Sequence, residues 1–237
     1  MVTKNGPYNE REIINNYHIC ISNMTGMKHK GLVLLILLIT GIGRPVLIRA
    51  QERDDFGIWS QIDLGARISD KWSGGLWFEH RSKENARTLD CALVMPYVNY
   101  KPWKHLQLGY SSEFIQTLGG WLITCRPAAT LLLGDGDLTF ALRELPIYTH
   151  YCTTGSGKWM LRSRGKVAYA IPKTRLKPYV SCELFTTDQW EKTRYYLGTT
   201  SKLGDRSTLD LFYLYYVMAG VPNRERHVLG LGYAFKI

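Results

Sequence analysis

The sequence predicts an all-β fold, an antiparallel up-and-down transmembrane β-barrel of 10 to 12 strands, and three observations predict it. A short apolar segment behind a basic stretch reads as an export signal. The rest of the chain repeats a run of roughly ten to fourteen residues of alternating polarity, closed each time by a turn cluster. Within those runs charged residues sit in mid-strand, opposite an apolar and aromatic face.

Composition agrees. Aromatics make up 12% of the 237 residues, with 15 Tyr and 7 Trp, yet the mean hydropathy is slightly negative. That balance excludes both a bundle of membrane helices and a disordered chain, and it suits amphipathic strands. The only strongly apolar run, Gly31 to Gly43, is shorter than the roughly 20 residues of a spanning helix. Lys28, His29 and Lys30 precede it, and Ala50 gives a small residue before Gln51. Residues 27–50 are therefore read as a cleaved signal peptide starting at Met27. Residues 1–26 are polar, Asn-rich and without an apolar face, and are read as a dispensable leader from an upstream start. An unusually long n-region of the signal peptide is the alternative. Residues 51–237 form the single barrel domain, exported to the outer membrane of a Gram-negative cell.

The net charge is +10, and residues 1–50 hold six Lys/Arg against two Asp/Glu, so the excess of base survives processing. A basic surface suits nucleic acid or anionic lipid, and export leaves lipid head groups as the partner. Cys91, Cys125, Cys152 and Cys182 are widely spaced with no C-x-x-C pair, which argues against a zinc ribbon or a redox motif. An oxidising envelope permits disulfides, but Cys91, Cys125 and Cys182 fall within strand-like runs as small apolar side chains, and free thiols are read in preference to bridges. No cofactor or metal site is expected, since His105, His150 and His227 stand singly on different runs.

The runs follow in order. In the first, Ile58, Ile62, Leu64, Ala66 and Ile68 share one side of the pleat, with Gln61, Asp63 and Arg67 on the other. Ser69-Asp70-Lys71 turns it into Trp72 to Lys83, where Glu79, Arg81 and Lys83 oppose Leu76 and Phe78. Further runs cover Thr88 to Lys101, Lys104 to Ile115, Gly119 to Leu133, Asp137 to Tyr151, Lys158 to Ala170, Arg175 to Thr187, Lys192 to Leu203, Ser207 to Met218 and Arg226 to Ile237. That makes eleven. Single-chain bacterial barrels usually close with an even number, so one run is expected to be split, missed or a loop.

Alternation alone also suits a soluble sheet, so polarity must decide. Trp59, Trp72, Trp77, Trp103, Trp121, Trp159 and Trp190 lie near run ends, as do Tyr213, Tyr215 and Tyr216, where amphipathic rings collect at head-group level. The opposite faces carry Asp63, Arg67, Glu79, Arg81, Glu113, Arg126, Arg162, Arg164, Lys166, Glu183, Arg194 and Lys202. These twelve are expected to form an ion-paired lumen, because an unpaired charge in a narrow, poorly hydrated space costs several kcal/mol. The last run ends on Leu229, Leu231, Tyr233, Phe235 and Ile237, a terminus that looks like the signal barrels present to the assembly machinery.

The segments WSGGLWFEHRSK, LTFALRELPIYTH, LRSRGKVAYAIPKTRLKPYVSCELF and the ending HVLGLGYAFKI resemble the uncharacterised outer-membrane family known as domain of unknown function 2490, from about Phe56 to Ile237. The resemblance implies a small outer-membrane barrel and carries no assigned activity.

Two kinds of function follow from the residues. The first is a structural, narrow-transport or ligand-contact barrel with a largely plugged lumen, too few strands being present for the open pore of about 16 to 18. The Arg162, Arg164 and Lys166 ladder would attract anions, unless Glu79, Glu113, Glu144 and Glu183 neutralise it from neighbouring strands. The alternative is a lipid-modifying hydrolase. His80 and Ser82 form H-x-S on one face, which looks like the base and nucleophile of lipid A deacylases, though at about 7 Å apart along the backbone. Gly155-Ser156-Gly157-Lys158 lacks phosphate-loop spacing and reads as a turn.

Overall fold

The computed structural model describes residues 55–134, 136–219 and 225–237. The leader and signal peptide inferred for residues 1–50 lie outside the described residues. Among the described residues eleven strands make one closed barrel: β1 (Asp55–Arg67), β2 (Trp72–Lys83), β3 (Thr88–Trp103), β4 (Leu106–Thr117), β5 (Gly120–Leu133), β6 (Leu138–Tyr151), β7 (Gly157–Tyr169), β8 (Leu176–Thr186), β9 (Trp190–Lys202), β10 (Ser207–Met218) and β11 (Glu225–Lys236).

Each strand pairs antiparallel with its chain neighbours, as short connections require. The exception is the closure. An odd number of up-and-down strands leaves the first and last running the same way, so β1 and β11 meet in a parallel ladder from Asp55↔Arg226 to Gly65↔Lys236. The count lies within the expected range, but the even closure does not occur. All eleven runs are strands, none split and none a loop.

Odd-numbered strands end where the C-terminus does, and this is called the C-terminal end below. Strand β1 begins at the opposite end, where the side chain of Asp55 accepts from the amide of Glu84 at 2.6 Å. There Glu84, Asn85 and Ala86 take the left-handed conformation, φ 55 to 64°, to turn β2 into β3 within four residues.

The side chains decide the medium. Leu108, Leu211 and Leu231 are 42%, 48% and 49% exposed, whereas Arg126 is 5% and Glu183 0% exposed. A water-soluble barrel has the reverse arrangement. Apolar side chains cover the outside, and the interior carries the charges.

One wall of the interior is stripped of side chains, and rings from the neighbouring strands occupy the space this leaves. In β11 the inward positions are Val228, Gly230, Gly232 and Ala234. The ring of Phe212, directly opposite Gly230 in the ladder, lies where a Cβ on Gly230 would stand. The ring of Tyr179 covers Gly198 in the same way. Trp59, Leu214, Tyr216 and Val228 pack in one cluster with Phe212, Tyr179 and Ala168, and Leu145 and Ile147 pack with Ala128 and Met160.

Prolines interrupt the wall. Between β5 and β6 the paired register stops after Cys125↔Tyr148 and resumes at Ala129↔Glu144. Pro127 and Pro146 lie in that gap and have no N–H to donate.

Candidate functional site: the barrel lumen

Glu183 is the centre of the lumen. It projects inward from β8, and its strand neighbours in the register are Arg164 on β7 and Arg194 on β9. Alternation puts all three on the same face. Arg162, two residues before Arg164, also pairs with Glu183 Oε1. Arg164 Nε lies 3.4 Å from Oε1, and Arg194 Nη1 lies 3.7 Å from Oε2. Tyr196 donates its hydroxyl to Oε2 at 3.1 Å. One carboxylate with no solvent exposure thus answers three guanidiniums, which is what makes its burial tolerable.

A second group lies beside it. Glu79 pairs with Arg81 and accepts from Trp77 Nε1 at 3.0 Å. The guanidiniums of Arg81 and Arg194 stack over Trp59, 4.3 and 5.0 Å from the ring centre, an arrangement favoured when the cation is desolvated. Across the barrel Glu113 pairs with Arg126 and accepts from Thr124 Oγ1 at 3.2 Å.

Together these groups bound a cavity of about 410 Å³, within the range of small-molecule sites. Its lining runs from Trp59 and Arg81 towards the C-terminal end, where Asp63, Asn99, Gln107, Lys166 and Asp210 contribute. The packed apolar side chains Leu145, Ile147, Leu214, Tyr216 and Val228 lie outside that lining. Trp59, Tyr179 and Phe212, of the same apolar cluster as Leu214, do border the cavity, beside its polar groups.

The opposite mouth is bridged. Arg226 reaches Asp55 at 2.5 Å and Asp90 at 2.9 Å, linking β11 through the seam partner to β3, and its guanidinium lies 5.3 Å from the Tyr216 ring centre.

Of the twelve lumen residues expected from the sequence, Asp63, Glu79, Arg81, Glu113, Arg126, Arg162, Arg164, Lys166, Glu183 and Arg194 all line this cavity. Arg67 and Lys202 do not. Both are exposed in the last residue of their strands, and Arg67 pairs locally with Asp70, so their position at the rim removes them from the network. Glu144, expected among the carboxylates neutralising the Arg ladder, is exposed on the outer face, where it accepts from Ser163 Oγ at 2.6 Å.

The sequence reading missed Arg143 and Asp210, which both line the cavity, and Arg226 at the mouth. Arg143 shares its parity with Leu145 and Ile147, so its face reads as apolar. Asp210 stands alone between leucines. Counting parity back from Leu145 would not have separated a lumenal arginine from an apolar stripe, because this wall carries both.

The H-x-S pair is not assembled as nucleophile and base. The register shifts between Arg81 and Ser82, and Ser82 is only 6% exposed, while His80 is exposed. The Ser82 hydroxyl accepts from the Ile58 amide at 2.8 Å and lies 3.2 Å from the Ile58 carbonyl. It is occupied in holding β1 to β2. His227 contacts the rings of Tyr213 and Tyr215, and among the described residues no cluster of His, Cys, Asp and Glu could hold a metal ion. The four described cysteines are free thiols.

The fold has a known counterpart. A solved structure described as "NanC porin structure in rhombohedral crystal form" superposes with a TM-score of 0.54 at 17% identity, covering 77% of this chain and 98% of that one. No curated protein sequence matches the chain. Residues 56–227 match the family described as "Protein of unknown function (DUF2490)". That stretch is most of the chain and nearly the whole barrel, and the chain belongs to this family.

Proposed function

We propose that the chain is an outer-membrane β-barrel whose lumen is ion-paired and largely filled, and that its role is contact with a small solute in the remaining cavity. The carrying observation is the inverted polarity: leucines outward, and Glu183 fully enclosed by Arg162, Arg164 and Arg194. Lipid is the medium in which that inversion lowers the free energy. Export through the segment 27–50 and delivery to the assembly machinery through Arg226 to Ile237 belong to the same reading. The outward Leu229, Leu231 and Tyr233 of β11 support it.

Planar-bilayer recording of the purified barrel tests the filled lumen. The expected trace shows no steady conductance of porin size, because paired side chains and the Arg226 bridge occupy the cross-section. A stable open channel in the wild type would replace this reading with a narrow solute path, for which the likeness to a structure named a porin speaks. Fractionation tests the location, and recovery of the processed chain in any compartment but the outer membrane would remove it.

A further inference from the structure

We infer that the lumen contains a binding site for a small, multiply charged oxyanion, built from Arg143, Arg164 and Lys166 and reached from the C-terminal end of the barrel. This deepens the ligand-contact reading above and rests on it.

The inference starts from an imbalance. Three carboxylates of the lumen are committed to arginines, Glu79 to Arg81, Glu113 to Arg126, and Glu183 to the three around it, and the other two lining the cavity, Asp63 and Asp210, accept from the hydroxyls of Tyr97 and Tyr179. Arg143 has no carboxylate within 4 Å among the described residues, and its Nε is buried without a hydrogen-bond partner. Yet Arg143 stands directly opposite Arg164 in the β6–β7 ladder. Like charges at paired positions destabilise a sheet, and an unsatisfied buried guanidinium nitrogen adds to that cost. Lys166 continues the same face two residues along β7, its ammonium 3.6 Å from the Tyr179 ring centre, again with no carboxylate within 4 Å among the described residues. Asp210 lines the same cavity, where its Oδ2 accepts from Tyr179 at 3.0 Å and its Oδ1 is buried without a hydrogen-bond partner, and it makes no ion pair with Arg143, Arg164 or Lys166.

A barrel wall that places three cations side by side, one with an empty donor, is poorly arranged for packing and well arranged for an anion. Guanidinium forks present parallel N–H donors that match phosphate or carboxylate oxygens, and the lysine adds a point charge. Arg164 keeps its Nε on Ser181 Oγ at 3.0 Å, which fixes its orientation and leaves its terminal nitrogens to the cavity. All three side chains line the 410 Å³ space. Three adjacent cations favour an anion of two or more charges over chloride.

The test uses the full barrel in detergent micelles, titrated calorimetrically with inorganic phosphate against sodium chloride at matched ionic strength. Saturable phosphate binding is expected, weakened at least tenfold in Arg143→Gln and in Lys166→Gln and unchanged in the rim variant Arg67→Gln. A melting curve supplies a second readout. Without phosphate Arg143→Gln should melt no lower than the wild type, since a like-charge contact is relieved, and the phosphate-induced rise in Tm should vanish. Absence of saturable binding, or binding indifferent to both substitutions, overturns the site. Because calorimetry is blind to conductance, such a failure leaves the filled-lumen reading standing, and an open channel would sink that reading without touching the binding result.

Discussion

At the scale of the residue, Glu183 shows how a charge survives inside a narrow barrel. Its carboxylate is surrounded, and each arginine around it is held by something else as well: Arg164 by Ser181, Arg194 by the rings of Trp59 and Phe185, 5.0 and 4.7 Å away. Glu183→Gln keeps the shape and removes the charge, leaving the guanidiniums facing one another. Breaking a buried pair in this way costs about 3 to 5 kcal/mol, so the urea midpoint of the vesicle-folded barrel should fall accordingly. Adding Arg162→Met should recover part of that loss, because the two residues share one network. A loss below about 1 kcal/mol from the single change would mean that the network carries no stability. Glu183 was legible in the sequence because Ser181, Glu183 and the Arg162 to Lys166 ladder each repeat with period two. Arg143 was not, since its neighbours of the same parity are leucine and isoleucine, and the period reports a face without saying which face is wet.

At the scale of the element, strands were legible almost to their ends. β2 and β10 occupy the ranges their alternation marks out, because turns such as Ser69-Asp70-Lys71 and Gly204-Asp205-Arg206 bound them with residues that favour local side-chain to backbone bonds. What alternation does not fix is which neighbour supplies a charge partner. Glu144 illustrates this: in the middle of β6, it points outward beside the gap left by Pro127 and Pro146, with Ser163 donating to it. On a lipid-facing surface a carboxylate is unfavourable in a depth-dependent way, less so than Lys or Arg. Glu144→Leu should therefore stabilise the barrel by about 1 kcal/mol when unfolded from vesicles, measured by the urea midpoint. A clear destabilisation would mean that this face meets water or a polar partner and would count against placing it in hydrocarbon.

At the scale of the whole molecule, the parity of the strand count sets the topology. Sequence periodicity yields eleven runs, but period two says nothing of how the first and last strands meet, since that contact joins residues over 160 positions apart. Eleven strands force a parallel seam, and a parallel ladder is slightly less stable per residue than an antiparallel one. The seam is correspondingly reinforced at its start, where Arg226 pairs with its ladder partner Asp55. The seam can be read chemically. Ile62 and Tyr233 are register partners across it, and both are exposed on the outer face. In a background with the native cysteines replaced, Ile62→Cys with Tyr233→Cys should oxidise to an intramolecular disulfide, because directly paired backbones fall within the 4.4 to 6.8 Å Cα separation that a disulfide spans. Ile58→Cys with Tyr233→Cys should remain reduced, since Ile58 pairs with Leu229 and four residues along a strand is about 13 Å. The gel shift of the unboiled and boiled protein reads both. If the first pair failed to close while the second did, β1 would run against β11 in another register, and if neither closed, a further strand would stand between them and the barrel would be even.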